Sequence, residues 1–279
     1  MDQIHTAAGE LSAITPELWS AKYYDVLLAS LPYNSIVSSD YEGEISQLGD
    51  TVNISSFPEF ADAIEINEDQ KVDADSITVS GQQLVINKQV AKDFIVTKRA
   101  MLQSLPHMDK LRDLAIYSIL KKMQKIIIAS ILPNAADPDH SIAYGSGTTL
   151  ALSDMLNAKE LLDNQDVPFE GRNMVVGSAQ LNDIFNIVGF TSSDFITSGA
   201  PLVTGQLPPA LLGFMPHFTT EQGNTSTFFH QSFMTMAAQQ GMDTQVYDLG
   251  VEGKRASRVN STSLFGVKQL DGLRVVTIS

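Results

Sequence analysis

The spacing of apolar and polar positions divides the chain into regimes. Residues 16–31 carry Leu18, Trp19, Tyr23, Val26 and Leu27 at helical spacing. Thr15 stands where an N-cap is needed and Pro16 at the first helical position. The pattern therefore predicts a helix over 16–31, which Pro32 ends. Before it, residues 1–15 are small and polar and read as a loose arm. From 50 to 97 the period changes to two. Thr51-Val52-Asn53-Ile54-Ser55 and Ala63-Ile64-Glu65-Ile66-Asn67 alternate; Ile77-Thr78-Val79, Leu84-Val85-Ile86 and Phe94-Ile95-Val96 follow. Between them lie Asn67, Glu68, Asp69, Asp73 and Asp75. This predicts long antiparallel strands with an extended polar excursion. It holds too little apolar content for its own core, so the hairpin needs a surface to lie on.

Residues 104–132 carry the strongest helical pattern. Leu111, Ala115, Ile119, Met123 and Ile126 form one stripe, widened by Ile116, Leu120, Ile127 and Ile131. Ser104 and Pro106 open the helix and Pro133 closes it. The consecutive Ile126, Ile127 and Ile128 point about 100° apart, so at least one is expected against something beyond the main core: the hairpin base or the N-terminal helix. A turn-rich connector over 134–148 leads to an α/β stretch. It predicts a helix capped by Ser153 through Asn164, a short buried strand over 173–176, and a helix capped by Ser178 through Val188. Residues 199–209 read as loop and 211–218 as a strand interrupted by Pro216. Strands follow at 227–229, 244–249, 256–267 and 273–278. The fold class is α+β.

Composition narrows the function classes. The 279 residues are 43% hydrophobic and carry a net charge of -14, which argues against a protein that grips nucleic acid with its own surface. Cysteine is absent, so there is no disulfide framework, thiolate metal site or cysteine nucleophile. The start lacks a basic-then-apolar signal and no apolar run approaches a membrane span. A soluble protein of a reducing cytosol is expected. The charge is segregated: one basic and thirteen acidic residues in 1–70, ten and five in 71–134, two and twelve in 135–250, five and two in 251–279. Such blocks are either solvated faces of one molecule or complementary surfaces between copies.

Catalytic patterns are missing. His5, His107, His140, His217 and His230 form no HExxH or other metal-ligand spacing. There is no GxxxxGK[ST] loop and no GxSxG elbow. Asp62, Glu65, Glu68 and Asp69 lack the glycine and ligand order of a calcium loop and read as a solvated acidic tip. No catalytic, cofactor or metal residue is expected.

The order of parts, with five passages, resembles the HK97-like major capsid proteins of tailed double-stranded DNA bacteriophages. Gly49-Asp50-Thr51-Val52-Asn53-Ile54 is similar to the start of that family's extended loop. Val167-Pro168-Phe169-Glu170-Gly171-Arg172-Asn173-Met174-Val175-Val176 resembles its proline, Gly-Arg and apolar-strand passage. Leu211-Leu212-Gly213-Phe214 resembles its Leu-x-Gly-Phe strand. Residues 228–238 resemble its later strand and turn, and Phe265-Gly266-Val267-Lys268 before 273–278 its last strand pair. The resemblance implies an N-terminal arm over 1–49 and an extended loop over 50–103. A peripheral domain would span 104–144 and 238–269 with the long helix as spine, and an axial domain 145–237 and 270–279. It implies hexamers and pentamers closing into an icosahedral shell around double-stranded DNA, made in the bacterial host cytoplasm. A portal and a separate scaffolding protein would be partners, with room for a decoration protein. An acidic chain fits that role, since a wall that binds DNA weakly lets it slide during filling. Contacts between copies are expected at Trp19 in the arm, at Phe57, Phe60, Glu65, Glu68, Asp69 and Lys71 in the loop, and at Lys121, Lys122 and Lys125 on the spine helix. The rivals are an encapsulin-type nanocompartment shell of the same fold and a soluble α+β enzyme with an unrecognised site.

Overall fold

The computed structural model describes residues 28–41, 51–57, 60, 62, 63, 65, 77–99, 108–187, 210–249 and 255–279. A short helix α1 (Tyr33–Ile36) precedes strands β1 (Thr51–Ser56), β2 (Ser80–Val85) and β3 (Lys88–Thr97) and the spine helix α2 (Met108–Ala129). Then come β4 (Ser141–Ile142), α3 (Leu152–Asn164), β5 (Arg172–Val176), α4 (Ser178–Asn186) and β6 (Met215–Phe218). The chain ends with β7 (Ser226–His230), β8 (Met234–Asp248), β9 (Ala256–Gln269) and β10 (Val275–Ile278). They form a two-stranded ladder β1-β2, a five-stranded sheet β4-β10-β7-β5-β6 and a three-stranded sheet β3-β9-β8.

Strand alternation splits the five-stranded sheet between two cores. Met174, Val176, Phe228, Val276 and Ile278 face the helices, meeting Met155, Ala158 and Leu162 of α3 and Ile184 of α4. Val175, Phe229 and Val275 face the other way, onto a hub with Tyr33, Val37, Ile127, Phe233 and Met234. The hub joins the α1 segment, the spine helix and the sheet. Of the three consecutive isoleucines, Ile127 is fully buried there and Ile128 flanks it. Ile126 packs instead with Ile119, Met123 and Phe265 under the three-stranded sheet. The partner beyond the core is thus the α1 segment, and not the hairpin base.

The hairpin base lies on the chain's own three-stranded sheet. Val52, Ile54, Leu84 and Ile86 bury against Ala237 and Leu264. Gln82 Nε2 donates to Leu270 O at 2.8 Å. β3 pairs with β9 along its whole length, Lys88 with Phe265 through Thr97 with Ala256, so this part of the expected loop is a strand of that sheet.

Several boundaries differ from the sequence pattern. Residues 28–31 are not helical, and 16–27 lie outside the described residues. Instead of only stopping a helix, Pro32 starts α1: its carbonyl accepts from Ser35 N and Ser35 Oγ. Residues 77–79 are not strand; β2 begins at Ser80. α2 ends at Ala129, where Ser130 Oγ takes the Ile126 carbonyl at 2.8 Å and Leu132 N turns to Gln269 Oε1 at 2.7 Å. Ser153 does not cap α3; Ala151 holds the N-cap position, and its N–H donates to Asp154 Oδ2. Ser178 likewise lies inside α4, which ends at Asn186, and Gly177 is the N-cap. Pro216 does not interrupt β6, because β6 is an edge strand that needs no N–H on its outer side. The break comes earlier, where Leu211 and Phe214 exchange both backbone hydrogen bonds around Leu212 and Gly213, both at positive φ. β8 is one strand of 15 residues, bulged between Ala238 and Asp243, where the polar Gln239-Gln240-Gly241 read as a gap.

Candidate assembly surfaces

Three features stand out from this frame. The first is the open end of the β1-β2 ladder. Pairing stops at Ser56 with Ser80, and the chain beyond exposes Phe57, Phe60, Ile77 and Val79 at 51–72%. Glu65 is exposed as well. Residues 57–79 carry seven carboxylates and one lysine. Four large apolar groups thus stand in water, in an acidic stretch of the sequence.

The second is the far end of the three-stranded sheet. Ile95 and Tyr247 lie in one cross-strand row on either side of Arg258. They are 60% and 49% exposed, and Val246 in the adjacent row is 64% exposed. Lys98 pairs with Asp248 at 3.0 Å and Arg258 with Asp93, so charge pairs fix the strand ends while the apolar groups stay open.

The third is the junction of spine helix and five-stranded sheet. The turn at Thr220–Gln222 reaches α2 through Glu221, whose carboxylate meets Lys121 Nζ at 2.8 Å and Lys125 Nζ at 3.1 Å. Hydrogen bonds from the two lysines outweigh partial burial and hold Glu221 below the usual carboxylate range; Lys121 is correspondingly raised. Beneath the ion pairs, Gln124 Nε2 donates to Thr219 Oγ1 at 3.0 Å, and Thr219 Oγ1 donates to Ser30 O at 2.8 Å. Tyr33 Oη donates to Gln222 Oε1 at 2.9 Å, and Gln222 Nε2 to Thr227 Oγ1. One turn thereby ties three parts of the chain together.

Of the residues singled out in the sequence, Phe57, Phe60 and Glu65 are exposed. Lys121 and Lys125 have a partner within the chain, and Lys122 is exposed. Trp19, Glu68, Asp69 and Lys71 lie outside the described residues. Sequence reasoning missed Glu221, which sits in an acidic block with no local pattern.

The Gly-Arg passage is structural. The buried Arg172 guanidinium donates to Pro168 O at 3.0 Å, Val167 O and Asp163 Oδ1 at 2.6 Å, and lies 4.4 Å from the Phe169 ring. Partial burial opposes charge on Asp163, but hydrogen bonds from Lys159 and Arg172 keep it below the usual range. Among the described residues no group of His, Asp and Glu could hold a metal, and no helix is long and apolar enough to cross a membrane. His140 faces Val275 O, His230 faces Glu170 O and Ser232, and His217 faces Asn173.

Residues 103–279 match the phage capsid protein family. The chain belongs to that family. Its fold is that of phage capsid subunits, the HK97-like fold. A structure from Mycobacterium phage Che8 aligns with a TM-score of 0.77 at 20% identity, covering 95% of this chain and 97% of that one. The capsid structure of the cyanophage P-SCSP1u aligns at 0.78 with 8% identity, covering 96% and 93%. The mature capsid of bacteriophage PhiM1 aligns at 0.73 with 11% identity, covering 100% and 96%. Among curated proteins none matches. The chain is a phage capsid protein, a structural subunit of a virion shell built from copies of itself.

Proposed function

We propose that this capsid protein assembles as hexamers and pentamers into a closed icosahedral shell around double-stranded DNA in the bacterial host cytoplasm. A portal and a separate scaffolding protein take part. In this reading 1–49 is the arm, 50–103 the extended loop, 104–144 with 238–269 the peripheral domain, and 145–237 with 270–279 the axial domain. The observation that carries it is the β1-β2 ladder. Its base is buried on its own subunit, while Phe57, Phe60, Ile77 and Val79 beyond the ladder stay in water. A subunit meant to stay alone has no use for that surface; a subunit that lays its loop on a neighbour does. Trp19, Glu65, Glu68, Asp69, Lys71 and Lys122 belong to the same contacts, and family membership sets the phage shell above a nanocompartment. Deleting 57–75 tests it. The expected product is a folded, soluble subunit, by circular dichroism and melting, that closes no shells in electron micrographs. Intact shells from the deletion would refute the proposal.

A further inference from the structure

The chain passes from the five-stranded to the three-stranded sheet between β7 and β8, and returns between β9 and β10. Both passages meet at one tight turn, Gln231–Phe233. Phe233 O accepts from Leu270 N at 2.8 Å and Asp271 N at 3.2 Å, and Arg274 O accepts from His230 N at 3.1 Å. Gln231 N donates to Gly171 O at 3.0 Å, which ties in the start of β5. His230 is the N-cap of the turn, and both of its ring nitrogens are engaged. Nε2 lies 2.9 Å from Glu170 O. Nδ1 lies 2.7 Å from Ser232 Oγ and 3.2 Å from Ser232 N. Ser232 Oγ in turn accepts from Arg274 Nη1 at 2.7 Å.

These partners assign the protonation state. A carbonyl only accepts, so the ring proton sits on Nε2. A backbone N–H only donates, so Nδ1 must be bare to receive Ser232 N. The Ser232 hydroxyl already accepts from Arg274 and has its own proton free for Nδ1. The donors then run one way, from Arg274 through Ser232 and His230 to Glu170 O. A second ring proton would sit on Nδ1, face the Ser232 N–H and remove its acceptor. It would also add a positive charge near Arg172 of β5 and Arg274, which are paired with Asp163 and Asp271. Glu170 brings its backbone carbonyl to the ring, and its side chain is exposed. Burial above all, with the Arg274 and Arg172 charges adding to it, holds His230 below the ordinary histidine value against the Glu170 hydrogen bond. The unfolded chain then takes up its proton at higher pH than the folded one. The contribution of the neutral ring is therefore complete above the ordinary value and lost as pH falls through the folded one.

We propose that His230 is a proton-sensitive latch on the hinge between the two sheets. Neutral, it clips the turn to Glu170 and Ser232; protonated, it lets go, so that mild acid frees the two sheets to move against each other while each stays folded. The latch belongs to the single subunit, so it stands or fails separately from the shell reading.

Hydrogen exchange on the full chain, kept dilute and unassembled, tests it at about pH 7.5 and about pH 5.5, on either side of the histidine range. Rates are corrected for the intrinsic effect of pH. The expected result is a several-fold loss of protection in acid at 232–236 and 270–274, with the centres of β5 and β7 unchanged. His230→Asn keeps an acceptor for Ser232 N and takes up no proton, so its protection at the hinge should be the same at both pH values. Arg274→Gln removes a neighbouring charge and should move the midpoint of the His230 ring titration, followed by NMR, to higher pH. Hinge protection that acid leaves unchanged in the parent would overturn the proposal. So would an equal acid response in His230→Asn, or a loss spread evenly over both sheets. Should His230→Asn not fold, the parent profile and the midpoint in Arg274→Gln decide, and a midpoint that does not move would overturn the proposal.

Discussion

At Gly266 an added Cβ would lie 2.5 Å from the Val85 carbonyl oxygen, closer than a methyl group can approach backbone. Gly266→Ala should therefore push the hairpin base off its sheet and cost about 1–3 kcal/mol by overpacking, seen as a lower melting temperature and faster amide exchange at Leu84. The glycine was legible in the sequence only as part of a family-like passage; the approach it permits depends on a strand 180 residues earlier. At Glu221 the prediction concerns pH. Its carboxyl lies below the ordinary range, so its contribution is complete above the unfolded value and is lost as pH falls through the folded one. Acid should therefore lower the parent's melting temperature more than that of Glu221→Gln. For Lys121, raised by the same partner, the contribution is lost as pH rises through its folded value. Equal acid sensitivity in parent and variant would show that the pairs contribute nothing measurable.

The lysines of the spine helix divide by the same geometry. Lys121→Glu with Lys125→Glu places two more carboxylates beside Glu221 and should lower subunit stability as well as assembly. Exposed pairs are each worth about 0.2–1 kcal/mol. Lys122→Glu should leave melting unchanged and act, if at all, on assembly alone. The sequence showed a basic block but could not tell which lysines had a carboxylate waiting, because Glu221 is about a hundred residues away.

Among elements, the spine helix was the most legible, since 22 described residues repeat one period and bury one line of it. Ile119, 1% exposed, is its deepest contact with the sheet. Ile119→Gly should cost about 2–5 kcal/mol of packing and about 1 kcal/mol of helix propensity. Ser118→Pro should cost about 3 kcal/mol or more by breaking the helix. Regular shells from the proline variant would mean that shell formation does not need a continuous spine. Strands were legible where alternation met a core, as in β1, β5 and β9. They were misjudged where tertiary context overrode local chemistry: the bulge in β8, the tolerated Pro216 on an edge, and β3, whose partner lies at the chain's other end. Helix caps were misassigned because serine at a helix start is a frequency, whereas Asp154 at the α3 start is a geometry.

For the whole molecule, the order of parts carried more than any residue did. The overall fold recurs in the Che8, P-SCSP1u and PhiM1 structures at 8–20% identity. The fold survives such divergence because it needs an apolar pattern and turn chemistry, which many sequences satisfy. The alternation of the loop region was legible in the sequence, whereas the exposed Ile95, Val246 and Tyr247 became conspicuous only once the strands were paired. The central claim is that this chain closes on copies of itself. Electron microscopy of the purified chain, alone and with its scaffolding protein, tests it most directly. The account predicts closed shells of uniform diameter with six-fold and five-fold units. A small oligomer of fixed size under every condition, scaffolding included, would contradict it.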